Sequence, residues 1–177
     1  MLISTALFVG LASLAGVQAA AQPPSMEPTS PFDLPNAFGE SGVVSNPFDV
    51  EAIRNALAHY PLAIDGKNFD ALDLVFTSNA VTNYSAPFGI LTPLSAIKSA
   101  LQGGLAPVTT QHAYGTQVIE VKSATSAVSV TYFTATHFGA GAHAGKLVTA
   151  YGQYQDAWVK QSGLHWRIAR RNLVYMV

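Results

Sequence analysis

The sequence contains no cysteine and few charged residues. Without cysteine, the 177-residue chain has no disulfide framework, no thiolate metal site and no cysteine nucleophile. Charged residues make up 11% of it, and nine Lys and Arg against ten Asp and Glu leave a formal net charge of -1. This balance provides neither the basic surface of a nucleic-acid-binding protein nor a polybasic membrane patch. Any chemistry therefore depends on His, Asp, Glu, Tyr or Ser side chains, or on a bound cofactor.

The N-terminus has the features of a secretory signal peptide. Residues 2–17 are apolar and almost uncharged, and the Gln-Ala-Ala-Ala run at 18–21 supplies the small residues that signal peptidase recognises. We therefore expect a signal peptide over residues 1–21, cleavage after Ala19 or Ala21, and a secreted protein. The apolar run is shorter than the roughly 20 residues of a membrane-spanning helix and is not followed by stop-transfer charges, so we expect no stable membrane anchor.

Residues 22–48 are predicted to form a Pro-, Ser- and Gly-rich arm. Five prolines interrupt any hydrophobic periodicity over residues 22–46: Pro23, Pro24, Pro28, Pro31 and Pro35. Hydrophobic residues make up 49% of the whole chain, and its length suits one domain with a sizeable core better than two small ones. We therefore expect a single domain over residues 49–177.

The first half of this domain has helical spacing. Four apolar residues step by 4, 3 and 4, which directs one stripe of a helix towards a core: Ile53, Leu57, Tyr60 and Ile64. Asp49 is predicted to cap this helix, Pro61 to kink it and Gly66 to end it. Asn68 is predicted to cap a second, short helix.

The second half of the domain has the alternating pattern of β-strands. After a short strand at 80–84 and a helix at 94–101, the period changes to two in four segments: 108–121, 127–138, 147–160 and 164–175. Their connections are short enough for an antiparallel meander. Helices followed by a curled antiparallel sheet indicate an α+β architecture, in which the helices cover one sheet face and a pocket lies between the layers.

Strand alternation assigns side chains to the two faces of this sheet. Phe133 and His137 share one face of the second long strand, and Tyr151, Gln153 and Gln155 lie together on the next. Two amides on a buried face need hydrogen-bond partners, which a polar ligand could provide. Phe133 and the three residues of the later strand are therefore candidate substrate-binding residues.

Five short motifs follow one another along the domain. They are Ile64-Asp65-Gly66-Lys67-Asn68-Phe69-Asp70, Asn83-Tyr84-Ser85, Thr110-Gln111-His112, His137 on a strand, and Gly163-Leu164-His165-Trp166-Arg167-Ile168. Over residues 49–175 this order resembles the SnoaL-like and scytalone dehydratase branch of the nuclear transport factor 2-like superfamily. The resemblance implies a cone-shaped, strongly bent antiparallel sheet closed by helices, a fold that hosts dehydratases, cyclases, isomerases and plain binding proteins.

The resemblance also implies a set of catalytic residues. Scytalone dehydratase-like members have an aspartate ending the first helix, a tyrosine on the first short strand, a histidine after Thr-Gln and another on the following long strand. The matching positions here are Asp65, Tyr84, His112 and His137. The family pattern is not fully kept, because Ile64 replaces a tyrosine, and Gln153 and Gln155 stand where the family has a serine and an asparagine. These differences argue against identical chemistry on the same substrate, whereas the acid–base centre is kept.

The residues themselves suit acid–base chemistry near neutral pH, because an imidazole has an ordinary pKa of about 6.5. His112 and His137 are the expected acid–base groups, Asp65 would orient a ring, and Tyr84 would donate a hydrogen bond to a developing enolate oxygen. We expect a dehydratase, cyclase or isomerase acting on a small hydrophobic ketone or phenol, such as a polyketide-like natural-product intermediate. Such a reaction needs no cofactor.

Other interpretations of the same residues stay open. A non-catalytic secreted protein that binds a small lipophilic ligand would have the same apolar cone. His112, His137 and Asp65 also have the residue types of a two-histidine, one-carboxylate metal site, although nothing in their spacing is diagnostic. Asp65 could simply end a helix, and Tyr84 could be a core aromatic residue.

Three further expectations concern charge, glycosylation and assembly. Arg170 and Arg171 point to opposite faces of the last strand, so one could enter the cone, with a solvated edge charge as the simpler interpretation. Asn83-Tyr84-Ser85 is the only N-glycosylation sequon in the sequence, and strand alternation directs Asn83 outwards if Tyr84 points into the cone. The resemblance and an exposed sheet face favour a homodimer.

Overall fold

The computed structural model describes residues 28–38 and 46–176. The predicted signal peptide and much of the predicted arm lie outside the described residues. The helices are α1 (Leu34–Ala37), α2 (Pro47–Asp65) and α3 (Leu94–Gly104), with 3₁₀ helices at Phe69–Leu74 and Gly141–His143. The strands are β1 (Phe76–Asn83), β2 (Ile90–Leu91), β3 (Val108–Val121), β4 (Ser126–Gly139), β5 (Leu147–Lys160) and β6 (Trp166–Tyr175).

The strands form one curved sheet in the order β2-β1-β6-β5-β4-β3. Strands β3 to β6 make the predicted antiparallel meander. Strand β1 instead pairs in parallel with β6, because α3 and the meander lie between these two strands in the chain and supply the long connection that a parallel pair requires. The predicted α+β fold class is confirmed, with one parallel pair in an otherwise antiparallel sheet.

The hydrophobic periodicity predicts the long strands closely, and β3 and β5 have the predicted bounds. Strand β1 begins at Phe76 rather than at residue 80. In the first half of β1, buried and exposed residues do not alternate. Phe76 and Thr77 are both buried, and a bulge or irregularity between Phe76 and Val81 interrupts the pairing with β6. Helix α3 continues to Gly104, and β6 begins at Trp166.

Asn46, and not Asp49, caps helix α2. The Asn46 Oδ1 accepts a hydrogen bond from the Phe48 N–H at 3.1 Å, as expected of an N-cap. Asp49 lies in the first turn of the helix, buried, and accepts hydrogen bonds from Trp166 Nε1 at 2.9 Å and Lys160 Nζ at 2.7 Å. Asp49 therefore ties the helix to the sheet.

Helix α2 continues past Pro61 to Asp65, and Gly66 is its C-cap residue, as predicted. The kink at Pro61 stays a prediction. The short helix after it is a 3₁₀ helix, and the Asn68 side chain makes no capping hydrogen bond to it. Phe69 and Leu72 are buried. Burial of these two side chains, and not a side-chain cap, therefore holds this turn against the domain.

The main core lies between helices α2 and α3 and the sheet face that they cover, which we call the inner face. Among its fully buried side chains are Ile53, Leu57, Ile97 and Trp158. Burying each aliphatic side chain of this size stabilises the fold by roughly 1.5–3 kcal/mol. None of the helices in the described ranges combines the length and the hydropathy that crossing a bilayer requires.

Residues 28–38 pack on the opposite, outer face of the sheet. A small apolar cluster on this face comprises Leu34, Val128, Val130 and Ala157. The Thr29 N–H donates to Gln155 Oε1 at 2.7 Å, and Gln155 Nε2 donates to the Thr29 carbonyl at 2.6 Å. The described part of the predicted arm is therefore docked on the sheet by an apolar contact and a paired amide.

Candidate active site

A cavity of about 80 Å³ lies between the inner face of the sheet and helices α2 and α3. Its lining is largely aromatic and aliphatic, and the side chains in it that bear on chemistry are Tyr60, Tyr84, His112, His137 and Tyr154. Ligand pockets commonly measure about 300–1,000 Å³. This cavity is smaller than that range, so it suits a small molecule or one end of a larger one.

The His112 ring lines this cavity and is bonded to a carboxylate that lies outside the lining. Asp65, the last residue of α2, lies 2.7 Å through its Oδ1 from His112 Nδ1 on β3. The same carboxylate accepts hydrogen bonds from Thr110 Oγ1 and from the His112 backbone N–H, both at 2.8 Å. With three donors on one carboxylate, Asp65 fixes both the position and the rotation of the His112 ring.

The Asp65 carboxylate also selects the His112 tautomer. A carboxylate only accepts hydrogen bonds, so the neutral ring keeps its proton on Nδ1 and leaves Nε2 unprotonated. The His112 side chain is 7% exposed, and burial lowers its pKa below the ordinary value although Asp65 acts in the opposite direction. At neutral pH the ring is therefore neutral and carries a free basic nitrogen on the side away from Asp65.

His137 on β4 faces the same cavity. Its ring centroid lies 6.2 Å from that of His112, with the two rings nearly edge to face. Its Nδ1 is buried and has no hydrogen-bond partner among the described residues. A buried polar nitrogen without a partner is unusual in a folded protein, and a polar group of a bound molecule could satisfy it.

Two phenols meet on the other side of the His112 ring. Tyr84, the residue after β1, and Tyr60 of α2 are both buried, and their hydroxyl oxygens lie 3.1 Å apart. The Tyr60 ring contacts that of His112 edge to face, with centroids 6.3 Å apart. Burial raises the pKa of both phenols, so both remain protonated hydrogen-bond donors at neutral pH.

A fully buried ion pair lies beneath these phenols. Arg171 of β6 and Asp156 of β5 are both 0% exposed, and the guanidinium donates to the two carboxylate oxygens at 2.7 and 2.8 Å. The guanidinium carbon lies 4.4 Å from the Tyr60 ring centroid and 4.0 Å from that of Tyr154. Of Arg170 and Arg171, Arg171 is the one that enters the cone.

The structure thus places Tyr84, His112 and His137 in the lining of one cavity, with Asp65 bonded to His112 outside that lining. Phe133 lines the same cavity and stacks on Tyr154 at a centroid distance of 4.4 Å. The structure does not bring the other three candidate substrate-binding residues there. Those lie on the outer face, where Tyr151 is 57% exposed, Gln155 is bonded to Thr29, and Gln153 Oε1 accepts a bond from Gln155 Nε2 at 3.3 Å.

The reason is a shift of one residue along β5, which moves every side chain to the other face of a sheet. The inner positions are Gly152, Tyr154 and Asp156, because they pair with the inner residues of β4. Tyr60 and Asp156 were not among the candidate residues. The alternation of β5 places Asp156 on the same face as Tyr154. The pairing of Asp156 with Arg171 can be recognised only when the register between β5 and β6 is known.

The model of the SnoaL-like domain family matches residues 48–172. That range is most of the chain. The chain belongs to the SnoaL-like family. The resemblance seen in the motifs is thereby confirmed, and the SnoaL-like match covers nearly all of α2, most of the cavity lining and nearly all of the sheet.

Solved structures give the SnoaL-like chain the nuclear transport factor 2-like fold. A candidate scytalone dehydratase from Novosphingobium aromaticivorans is 26% identical with a TM-score of 0.67, over 75% of this chain and 87% of that one. A nuclear transport factor 2-like superfamily protein from Salmonella enterica is 17% identical, with a TM-score of 0.64 over 74% and 92% of the two chains. A type 2 hexachlorocyclohexane dehydrochlorinase is 13% identical, with a TM-score of 0.66 over 75% and 90%.

No curated protein matches this SnoaL-like chain significantly. Within residues 28–38 and 46–176, no three His, Asp or Glu side chains converge as a metal site would require. The family match and the dehydratase neighbour together support a fold of the kind used by cofactor-independent enzymes.

Proposed function

We propose that this SnoaL-like protein is an acid–base enzyme that removes a proton next to a carbonyl group and expels a hydroxyl group as water, without a cofactor. The observation that carries the proposal is the His112–Asp65 pair, whose basic nitrogen belongs to a ring lining an apolar cavity. Fold likeness alone does not specify an activity, whereas a buried carboxylate-oriented imidazole beside two phenols is a defined acid–base arrangement.

In the first step, His112 Nε2 takes the proton from the carbon next to the carbonyl. The C–H electron pair moves into the carbon skeleton and the carbonyl becomes an enolate oxygen. The Tyr60–Tyr84 pair donates a hydrogen bond to that oxygen and keeps its protons, because both phenols line the cavity beside the His112 ring. Asp65 stabilises the imidazolium that forms, since its Oδ1 lies 2.7 Å from Nδ1.

In the second step, the enolate oxygen re-forms the carbonyl, the electrons of the enolate double bond form a double bond between the α- and β-carbons, and the bond to the β-hydroxyl oxygen breaks. The leaving hydroxyl takes the proton from the His112 imidazolium and departs as water, so the imidazole returns to its starting state. His137 lies beside His112 in the cavity lining with an unpartnered Nδ1, and it is positioned to hydrogen-bond the leaving oxygen. A cyclase or an isomerase would share the first step and differ in the second.

The cavity narrows the substrate class. Its lining favours a hydrophobic ketone or phenol, and its volume of about 80 Å³ favours a single small ring, or the reacting end of a longer polyketide-like molecule. A small cyclic ketone with a hydroxyl group on its β-carbon carries both the acidic proton, on the α-carbon, and the leaving group. We therefore take 3-hydroxycyclohexanone as the dehydration probe and cyclohexanone as the probe for proton removal.

The test is catalysis of both reactions by the purified protein. In deuterium oxide we expect exchange of the protons beside the cyclohexanone carbonyl, followed by mass spectrometry, and we expect 3-hydroxycyclohexanone to yield cyclohexenone and water. His112→Ala should reduce both rates by roughly 10²- to 10⁴-fold, the usual contribution of a positioned general base. His143→Ala is the matched control, because His143 is exposed outside the cavity, and it should keep the wild-type rates.

Two results would contradict the proposal. One is exchange in His112→Ala at the wild-type rate, and the other is no exchange by the wild-type protein with any small ketone of this class. The second would favour a binding protein for a small lipophilic ligand, an alternative that the largely apolar lining also suits. Mass spectrometry of molecules extracted from native protein, with no turnover of those molecules, would establish that alternative.

We also propose that the protein is secreted, glycosylated at Asn83 and dimeric. Asn83 pairs with Asn172 in the sheet, next to the inward-facing Tyr84, and the asparagine side chain is only half-buried. Expression in a eukaryotic secretory host should yield a protein beginning at residue 20 or 22, with a mass that falls after glycosidase treatment and does not fall in Asn83→Gln. Light scattering of the same sample measures whether the protein is a dimer.

A further inference from the structure

A contribution to stability does not by itself explain why the Arg171–Asp156 pair is buried. Both side chains are completely removed from solvent, and a buried ion pair is often no more stabilising than well-packed apolar residues of similar volume. Although burial alone would lower it, Asp156 holds the pKa of Arg171 above its usual range. The guanidinium is therefore a permanent positive charge inside the cone.

The positive end of this ion pair lies against the cavity phenols. Asp156 binds Nε and Nη2 of Arg171, while Nη1 is buried with no hydrogen-bond partner among the described residues. The guanidinium lies over the Tyr60 and Tyr154 rings at 4.4 and 4.0 Å. The charge of Arg171 therefore acts on these two phenols as well as on Asp156.

The two hydroxyls of Tyr60 and Tyr84 have one hydrogen to spare. Each phenol carries one hydroxyl hydrogen, and the single bond between their oxygens at 3.1 Å uses one of the two. Whichever phenol accepts that bond keeps its own hydrogen for another acceptor. Both residues line the cavity, so an oxygen of a bound molecule can accept that hydrogen.

We infer that Tyr60 and Tyr84 form a coupled oxyanion site and that Arg171 is a positioning residue that makes this site favour a negatively charged oxygen. The inference rests on the proposed function and deepens it: the site selects molecules whose oxygen becomes anionic, such as enolates and phenolates. When charge develops on the bound oxygen, the phenol that donates to it becomes more negative, the second phenol strengthens its bond to the first, and the guanidinium against the rings stabilises the accumulated charge. Burial raises the pKa of Tyr60 and Arg171 opposes that rise, in agreement with this direction.

Binding of 4-nitrophenol tests the site without any turnover. Its phenolate form absorbs visible light, so the protonation state of the bound molecule is read directly, and nitrobenzene serves as the uncharged analogue. We expect wild-type protein to bind the phenolate in preference to the phenol. Tyr60→Phe should weaken phenolate binding by roughly tenfold or more, as expected for loss of a hydrogen bond to a charged group, and change nitrobenzene binding less than twofold.

The ion pair is tested with both charges removed together. Arg171→Gln combined with Asp156→Asn avoids leaving an unpaired buried charge, and it should raise the apparent pKa of bound 4-nitrophenol, whereas a merely structural pair would weaken phenolate and nitrobenzene binding equally. Tyr114→Phe is the matched control, since the Tyr114 hydroxyl is buried without a partner and lies outside the cavity lining. It should bind both molecules like the wild type.

The results separate this inference from the proposed function. Wild-type phenolate preference in both Tyr60→Phe and the double variant would overturn the inference, even if His112→Ala abolishes proton exchange. Loss of the preference in Tyr60→Phe supports the inference, even if no ketone is turned over. If the double variant does not fold, Tyr60→Phe decides, because it removes a single oxygen and leaves the ring in place.

Discussion

At the scale of single residues, the candidate site depends on the three hydrogen bonds that Asp65 accepts. Asp65→Asn keeps the size of the side chain and replaces one acceptor oxygen by an amide that donates hydrogen bonds. An amide donating to His112 Nδ1, which lies 2.7 Å from the carboxylate, would move the ring proton to Nε2 and remove the base. We expect the rate of ketone proton exchange to fall roughly 10²- to 10⁴-fold, comparable to the loss of the orienting carboxylate in other acid–base enzymes.

The same substitution changes the pH dependence of the remaining activity. The base acts only when unprotonated, so activity falls as the pH drops through the His112 pKa. Asp65 raises that pKa against the lowering by burial, and its removal should move the acid limb of the kcat/KM profile to lower pH. Asp70→Asn is the control, because the Asp70 side chain is 96% exposed. An acid limb that moves to higher pH in Asp65→Asn would contradict this assignment.

How much of the site the sequence predicts also differs residue by residue. Asp65 and His112 belong to short motifs that can be recognised in the sequence. Both residues can therefore be predicted without knowledge of their contact. Gln153 was assigned to the wrong face, because an error of one position inverts a strand. The pairing of Asp156 with Arg171 depends on the register between β5 and β6, which no local pattern contains.

At the scale of elements, periodicity predicts the strands of the meander well because each has one face on the core. The parallel pairing of β1 with β6 could not be predicted, since it joins segments at opposite ends of the domain. The packing of residues 28–38 on the outer face was likewise hidden, as a proline-rich stretch has no period that would indicate a contact. Gln155, which looked like a ligand-binding amide, is bonded instead to the backbone of Thr29.

The docked segment should stabilise the domain from the outer face. Leu34 is 7% exposed in a cluster with Val128, Val130 and Ala157, so Leu34→Ala should lower the free energy of unfolding in urea by about 2 kcal/mol, the lower end for a buried leucine. Ketone proton exchange should not change, because the cluster is separated from the cavity by the sheet. Phe32→Ala, at a side chain 88% exposed, should change stability by less than about 0.5 kcal/mol. Equal effects of the two substitutions would show that the segment is not docked as described.

At the scale of the whole molecule, the burial that prepares His112 for catalysis also links folding to pH. Its pKa is lower in the folded protein than the ordinary value of 6.5, which is close to that of the unfolded chain. Between these two values the unfolded chain binds more protons than the folded one. The His112 contribution to the free energy of unfolding is therefore complete above about pH 6.5 and declines as the pH falls towards the folded-state pKa.

His112→Gln isolates this contribution from that of every other titrating group. The difference in the free energy of unfolding between wild type and His112→Gln should decrease below about pH 6.5, with a slope of at most about 1.4 kcal/mol per pH unit for one proton. Urea unfolding of both proteins between pH 5 and 8 measures this difference. His165→Gln is the control: because His165 is exposed, the difference in the free energy of unfolding between wild type and this variant should not follow the titration of His112. If the difference instead grew as the pH fell, the Asp65 carboxylate would outweigh burial, His112 would be largely protonated at the lower pH, and it could not be the base there. A fall in stability together with a fall in activity over the same pH range would trace both to one buried proton-accepting nitrogen.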